Sequence, residues 1–176
     1  MGQEKIIIGC NEPVELPRLR RHVPAKIDTG ADTSSIWVSN IRVDKHGVLR
    51  FCLFGEGSPY YTGKVIKRDL YSVGVVRSAS GHEQIRYRTK FSLRIAGKRI
   101  RATFTLSDRS KNRFPILIGR RTLSGKFIVD VSRRHYHETK VFTEENRVLN
   151  KELEKNAYDF YKKHYKHTGL SVRKTT

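Results

Sequence analysis

The stretch Ala25-Lys26-Ile27-Asp28-Thr29-Gly30-Ala31-Asp32-Thr33-Ser34-Ser35 decides how this chain is read. Ile27 closes a short strand-like run, and Asp28 follows at the strand's exit. Gly30 permits a tight turn and lets another backbone, or a substrate, approach closely. The Thr29 hydroxyl can donate and accept hydrogen bonds, so it can help to hold such a loop. A carboxylate fixed on a turn can serve as a general base toward water. Taken alone, Asp28-Thr29-Gly30 is equally an Asx-type turn, because Asp and Gly are ordinary turn residues.

A second stretch lies much further along: Phe114-Pro115-Ile116-Leu117-Ile118-Gly119-Arg120-Arg121-Thr122-Leu123. By itself Ile116-Leu117-Ile118 reads as a buried strand, with a turn at Gly119 and a short helix-like stretch after it. Between and around the two stretches the pattern is that of short strands. Residues 5–9, 23–27, 36–43 and 48–54 read as strands, 13–24 as a Pro-punctuated loop and 55–63 as a Gly/Pro/Tyr loop. Residues 64–76 are extended. Residues 85–95 and 99–106 alternate around a tight turn at Gly97-Lys98, the clearest hairpin in the chain. Many short strands separated by turn signals argue for a closed β-barrel or a sandwich.

The pairing of these two stretches, in this order, resembles the two signatures of a retroviral-type aspartic peptidase. Asp28-Thr29-Gly30-Ala31, Arg86-Tyr87-Arg88, the run from Thr103 to Arg109, Leu117-Ile118-Gly119-Arg120 and Phe127-Ile128-Val129-Asp130 are together similar to a narrower group. That group is the prokaryotic retropepsin-like family often labelled "putative ATP-dependent zinc protease". The resemblance covers residues 5–136. It implies a mainly β fold, a closed acid-protease (retropepsin-like) β-barrel, with a C-terminal helix added. It implies that Asp28 is the catalytic acid/base and that Thr29, Gly30 and Ala31 shape the active-site loop. It further implies that Gly119 lies close behind that loop and that Asp32 pairs with Arg120 as a structural brace.

Peptidases of this class use two carboxyls that share one proton, because adjacent like charges cannot both ionise cheaply. Asp-Thr-Gly occurs once in the chain. The second carboxyl is therefore expected from Asp28 of another copy, across the two-fold axis of a homodimer. Ser78-Ala79-Ser80-Gly81-His82 reads as a hairpin tip. Such a tip is either a flap that closes over substrate or simply a surface turn.

The family label claims zinc and ATP, and the sequence carries neither signature. There is no His-Glu-x-x-His pair, no closely spaced Cys pair and no Gly-rich loop ending in Gly-Lys-Ser/Thr. His135 and His137 would share a strand face, and His164 and His167 a helix face, but nearby histidines are more often solvated than ligands. No metal and no cofactor are expected. Cys10 and Cys52 are too few for a disulfide scaffold. Ile6-Ile7-Ile8 is too short for the apolar core of a signal peptide, and no apolar run approaches the length of a membrane span. A cytoplasmic protein without membrane contact is the expectation.

Residues 1–140 are read as the barrel domain. Residues 141–167 are read as an amphipathic helix, with Leu149, Leu153, Ala157, Phe160 and Tyr161 at helical spacing, and 168–176 as a disordered tail. The chain has 36 Lys and Arg against 17 Asp and Glu, a net charge of +19. Such a balance attracts acidic protein segments or nucleic acid. Tyrosines interleave with the charge and could stack on bases, yet no helix-turn-helix, zinc finger or RNP signature is present, so nucleic acid is the lesser candidate. The expected function is peptide-bond hydrolysis by an Asp28/Asp28 dyad, with acidic or glutamylated segments as substrates. The alternative is a non-catalytic module of the same fold that binds acidic protein or nucleic acid.

Overall fold

Phe91, Leu93 and Ile95 are buried while Lys90, Ser92 and Arg94 are exposed or half-exposed, the two-residue period of a strand with one face in a core. The same alternation recurs through most of the chain. A computed structural model describes residues 4–17, 19, 21–77, 83–136 and 141–164, the side chains of 141–145 excepted. Its strands are β1 (Ile6–Ile8), β2 (Asn11–Leu16), β3 (Arg21–Asp28), β4 (Ser34–Val43), β5 (Leu49–Leu53), β6 (Val65–Arg68), β7 (Ser72–Arg77), β8 (Glu83–Ile95), β9 (Lys98–Ser107), β10 (Ile116–Gly119) and β11 (Phe127–Val129). Its helices are α1 (Arg120–Leu123), α2 (Val141–Lys155) and α3 (Ala157–His164).

Strand pairing runs β10–β3–β2–β8–β9–β4 and returns from β4 to β10, so six strands close into a barrel. The mainly β, closed retropepsin-like architecture read from the sequence is the one observed. Closure removes the edges that an open sheet would expose. β4 belongs to two layers. Its first half pairs with β9 and β10, and its second half carries β5 and β6 outward. The change of direction falls at a bulge where Asn40 takes φ 53°, a left-handed conformation that Asn tolerates. The barrel interior is filled by Ile36, Phe91, Leu93, Ile95, Phe104, Leu106, Ile116 and Ile118. Phe91 is the hinge of the aromatic packing, edge-on to Phe104 at 5.6 Å and to Phe51 of β5 at 6.2 Å. β1 and β11 form a separate two-stranded parallel ribbon.

Two local expectations are corrected. Residues 13–24 are not a loop, because β2 runs through Pro13 to Leu16. Pro13 sits opposite Pro24 in the β2–β3 ladder. Neither has an N–H to donate, so the two can face each other without leaving an orphan donor between the strands. The segment read as one helix over 141–167 is divided at Asn156. Asn156 Oδ1 accepts the N–H groups of Tyr158 and Asp159, at 3.0 and 3.2 Å, and so caps α3. The chain divides into two units, Met1–Tyr136 and His137–Thr176, of which the first holds the barrel. No helix among the described residues is long and apolar enough to cross a membrane.

Candidate active site

Asp28 is the last residue of β3, and the parallel β3–β10 pairing sets Gly119 beside it. The loop that follows is stitched to the start of α1 by its own carbonyls. Arg120 N–H donates to Ala31 O at 2.8 Å, and Arg121 N–H to Asp32 O at 3.2 Å. These are first-turn N–H groups, which have no partner inside a helix. Gly119 lies against the same loop: a Cβ there would meet the Thr33 carbonyl carbon at 2.6 Å and Ala31 O at 2.8 Å. Its φ is −86°, so the glycine supplies space and not backbone freedom.

Beneath the loop lies a buried hydroxyl pair absent from the sequence reading. Ser34 Oγ accepts Gly119 N–H at 3.0 Å and is hydrogen-bonded to Thr122 Oγ1 at 2.7 Å. Thr105 Oγ1 donates to Ser34 O at 3.3 Å. Three separate elements are thereby tied to the segment just after Asp28. Serine and threonine in strand-like stretches gave no signal of this role, since only the register brings them together.

The Asp28 carboxylate is held by the loop it begins. Oδ1 accepts the N–H groups of Gly30 and Ala31, each at 3.2 Å. Oδ2 lies 3.3 Å from Lys26 Nζ, and the side chain is 25% exposed. One oxygen is therefore fixed by backbone donors while the other is paired only with the half-exposed Lys26. Gly30 is not in the left-handed region, and a Cβ on it would touch only Asp28 Oδ1, at 3.5 Å. Its turn does not require glycine, so the open space is on its outer side. Thr29 is exposed, and its hydroxyl makes no hydrogen bond among the described residues.

Asp32 and Arg120 do form an ion pair, with Arg121 a looser third member at 3.8 Å. The side chains of Asp32 and Arg120 are 50% and 63% exposed, so this is a solvated pair of small energetic weight. The backbone bonds and the buried Ser34–Thr122 contact tie the same loop.

The site is basic. Besides Lys26, the partly buried Arg109 lies close enough to feel the Asp28 carboxylate, and its Nε donates to Phe114 O at 3.1 Å. Burial and the neighbouring Arg86 charge lower the Arg109 pKa, and Asp28 opposes that shift. An arginine so placed stays protonated at neutral pH. Both arginines fall in stretches that carry the family resemblance, which was the signal available for them.

Ser78, Ala79, Ser80, Gly81 and His82, the candidate flap, lie outside the described residues. The strands that lead to them, β7 and β8, pair from Ser72↔Arg88 to Arg77↔Glu83. Among the described residues no three His, Cys, Asp or Glu side chains come together as a metal site requires. His135 is instead paired with the buried Glu12, at 3.1 Å. A cavity of about 770 Å³ opens between β6, β8 and β9, and Asp28 does not line it.

A crystal structure of a protein of unknown function from Legionella pneumophila subsp. pneumophila str. Philadelphia 1 shares this fold. Its TM-score is 0.56 at 23% identity, covering 74% of this chain and 96% of that one. Curated relatives named "Probable alpha-L-glutamate ligase" match as well. The one from Shewanella pealeana is 30% identical over 136 residues, and the one from Parasynechococcus marenigrum is 30% identical over 136 residues. These alignments take in 75% and 74% of this chain but only 30% and 29% of the relatives, so the chain spans less than a third of their length. Residues 7–140 match the family model described as RimB-like, retropepsin-like aspartic endopeptidase RimB, and on this match the chain belongs to the RimB-like family of retropepsin-like proteins.

Proposed function

We propose that the protein is an aspartic-type peptidase that works as a homodimer, with Asp28 of each copy forming one shared dyad. The observation that carries this reading is the setting of the Asp28 carboxylate. One oxygen is held by two backbone N–H groups, the other has the half-exposed Lys26 beside it, and the adjacent Gly30 leaves room for a second backbone. Two such carboxyls brought together hold one proton between them. The ionised member takes a proton from water, and the water oxygen attacks the scissile carbonyl carbon. The protonated member gives its proton to the carbonyl oxygen. The tetrahedral intermediate then collapses, the C–N bond breaks, and the leaving amine takes the proton first removed from water.

Lys26 beside Asp28, and Arg109 near it with Arg86 next to Arg109, favour acidic substrate segments. The likeness to part of proteins named "Probable alpha-L-glutamate ligase" makes glutamate-bearing segments the first to test. The free thiols Cys10 and Cys52 suit a cytoplasmic enzyme. Zinc and ATP have no part in this mechanism. A second reading rests on the net charge of +19: the same fold would hold acidic protein without cutting it.

The test is cleavage of a peptide library rich in Glu and Asp, from about pH 4 to pH 8, a span over which a carboxyl dyad can be tuned. Wild type and Asp28→Asn are compared with and without a chelator. Cleavage that survives the chelator and vanishes in Asp28→Asn supports the dyad. Binding of acidic peptides without cleavage by either protein supports the second reading.

A further inference from the structure

β9 is paired on both sides only in part. It is laddered to β8 from Lys98 to Thr105, but its pairing with β4 begins at Phe104. Residues 99–103 therefore present one unpaired backbone edge, and no other backbone hydrogen bond reaches them among the described residues. A bare edge in an otherwise closed barrel is a template for a further strand.

The edge does not open onto bulk solvent. Across from it stand Arg121, Thr122 and Lys126, with Thr33 and Ser34 also in the lining, and the gap between has a volume of about 350 Å³. Four cations line it (Arg88, Arg101, Arg121 and Lys126), with no carboxylate among the described lining residues. Arg101 has no hydrogen bond or ion pair among the described residues. Arg88 Nε has no acceptor either, but it is buried against Gly74 of β7, where a Cβ would lie 2.5 Å from it, and Arg88 Nη2 donates to Val75 O at 3.5 Å. The gap also has no aromatic face on which a base could stack.

The geometry points to this gap as a docking site for an extended acidic peptide segment, distinct from the Asp28 carboxylate. The segment adds its backbone to residues 99–103 as a strand, and its carboxylates meet Arg101, Arg121 and Lys126. The larger cavity alongside shares Arg88, Arg101 and Thr103 and adds Lys67, Arg68 and Lys90 against the one carboxylate of Asp69, which gives a longer acidic chain a continuing, mostly basic track. Asp28 does not line the gap, but Thr33 and Ser34 belong to the segment that follows it. A docked chain would thus sit against the back of the active-site loop. The site stands whether or not Asp28 is catalytic.

Binding is therefore measured on the full chain carrying Asp28→Asn, where hydrolysis plays no part. The probe is fluorescein-labelled hexaglutamate, followed by anisotropy at low salt. Arg101→Gln with Lys126→Gln should weaken binding by about tenfold or more. Hexaglutamate N-methylated at alternate residues should lose a similar factor, because it cannot complete a strand ladder. Arg42→Gln with Lys45→Gln removes the same charge outside the gap and should leave binding unchanged. Equal weakening by the two double variants would reduce the effect to net charge and overturn the site. Undiminished binding of the N-methylated peptide, or equal affinity for a thymidine hexanucleotide, would overturn strand docking.

Discussion

Gly119 lies directly against Thr33, so closely that one added methyl group would sit 2.6 Å from the Thr33 carbonyl carbon. Backbone atoms cannot yield as a flexible side chain can. Gly119→Ala should therefore displace the Asp28 loop and destabilise the protein by roughly 1–3 kcal/mol, read from urea unfolding. Gly30→Ala is the contrasting case. Its nearest neighbour would be Asp28 Oδ1 at 3.5 Å, so stability should stay within about 0.5 kcal/mol. A loss of cleavage in Gly30→Ala at unchanged stability would show that another chain closes on that face.

Ser34→Ala should be the more damaging of the hydroxyl substitutions. It leaves the Gly119 N–H and the Thr122 hydroxyl without their partner in a buried place, at about 1–3 kcal/mol. Thr122→Val added to it should cost much less than Thr122→Val alone. A double-mutant cycle by chemical denaturation measures this, and simple additivity would show the pair to be uncoupled.

Asp32→Asn should change stability by less than about 1 kcal/mol, and by less still in high salt, because its arginine partners are solvated. A loss as large as that of Ser34→Ala would show the ion pair, and not the hydroxyls, to brace the loop.

Asp44 gives the pH dependence. The Arg50 guanidinium, bonded at 2.6 Å, and the Val48 and His46 N–H groups hold its carboxyl below the ordinary value of 3.8, with burial opposing them. The folded pKa is the lower one, so the contribution is present above the ordinary carboxylate range and is lost as pH falls through the folded value. Asp44→Asn should lower the urea midpoint at pH 7 and narrow the difference between pH 7 and about pH 2.5. An unchanged slope with pH would remove Asp44 from the acid response.

The sequence was most legible where one rule acted alone. The β8–β9 hairpin follows from alternation and one glycine, although its turn is Ala96-Gly97 and not Gly97-Lys98; both residues take positive φ, which alanine does not advertise. β2 was hidden by Pro13, because the harm a proline does depends on whether its position in the ladder needs a donor, and that is a property of register. The break at Asn156 was hidden by an apolar spacing that runs across it unaltered, while a side-chain cap starts a second helix there. At the site, the loop and the strand behind it could be read as contiguous residues. Ser34 and Thr122 could not, since each acts through a partner distant in the chain, while Arg109 was signalled only by the stretch that carries the family resemblance.

β10 is four residues long and lies between β3 and β4, bonded to the first in parallel and to the second antiparallel. During synthesis β3 and β4 leave the ribosome long before it. Until it arrives the growing chain has two raw strands and no cylinder, a state prone to stick to its neighbours. Non-local closures of this sort are slow, on the order of milliseconds to seconds. The strand that completes the cylinder also delivers Gly119 to the Asp28 loop, so the loop has nothing to rest on until folding is nearly over. A nascent or half-folded copy would carry Asp28 on a slack loop, and the carboxylate would gain its fixed aim only with the last stave in place.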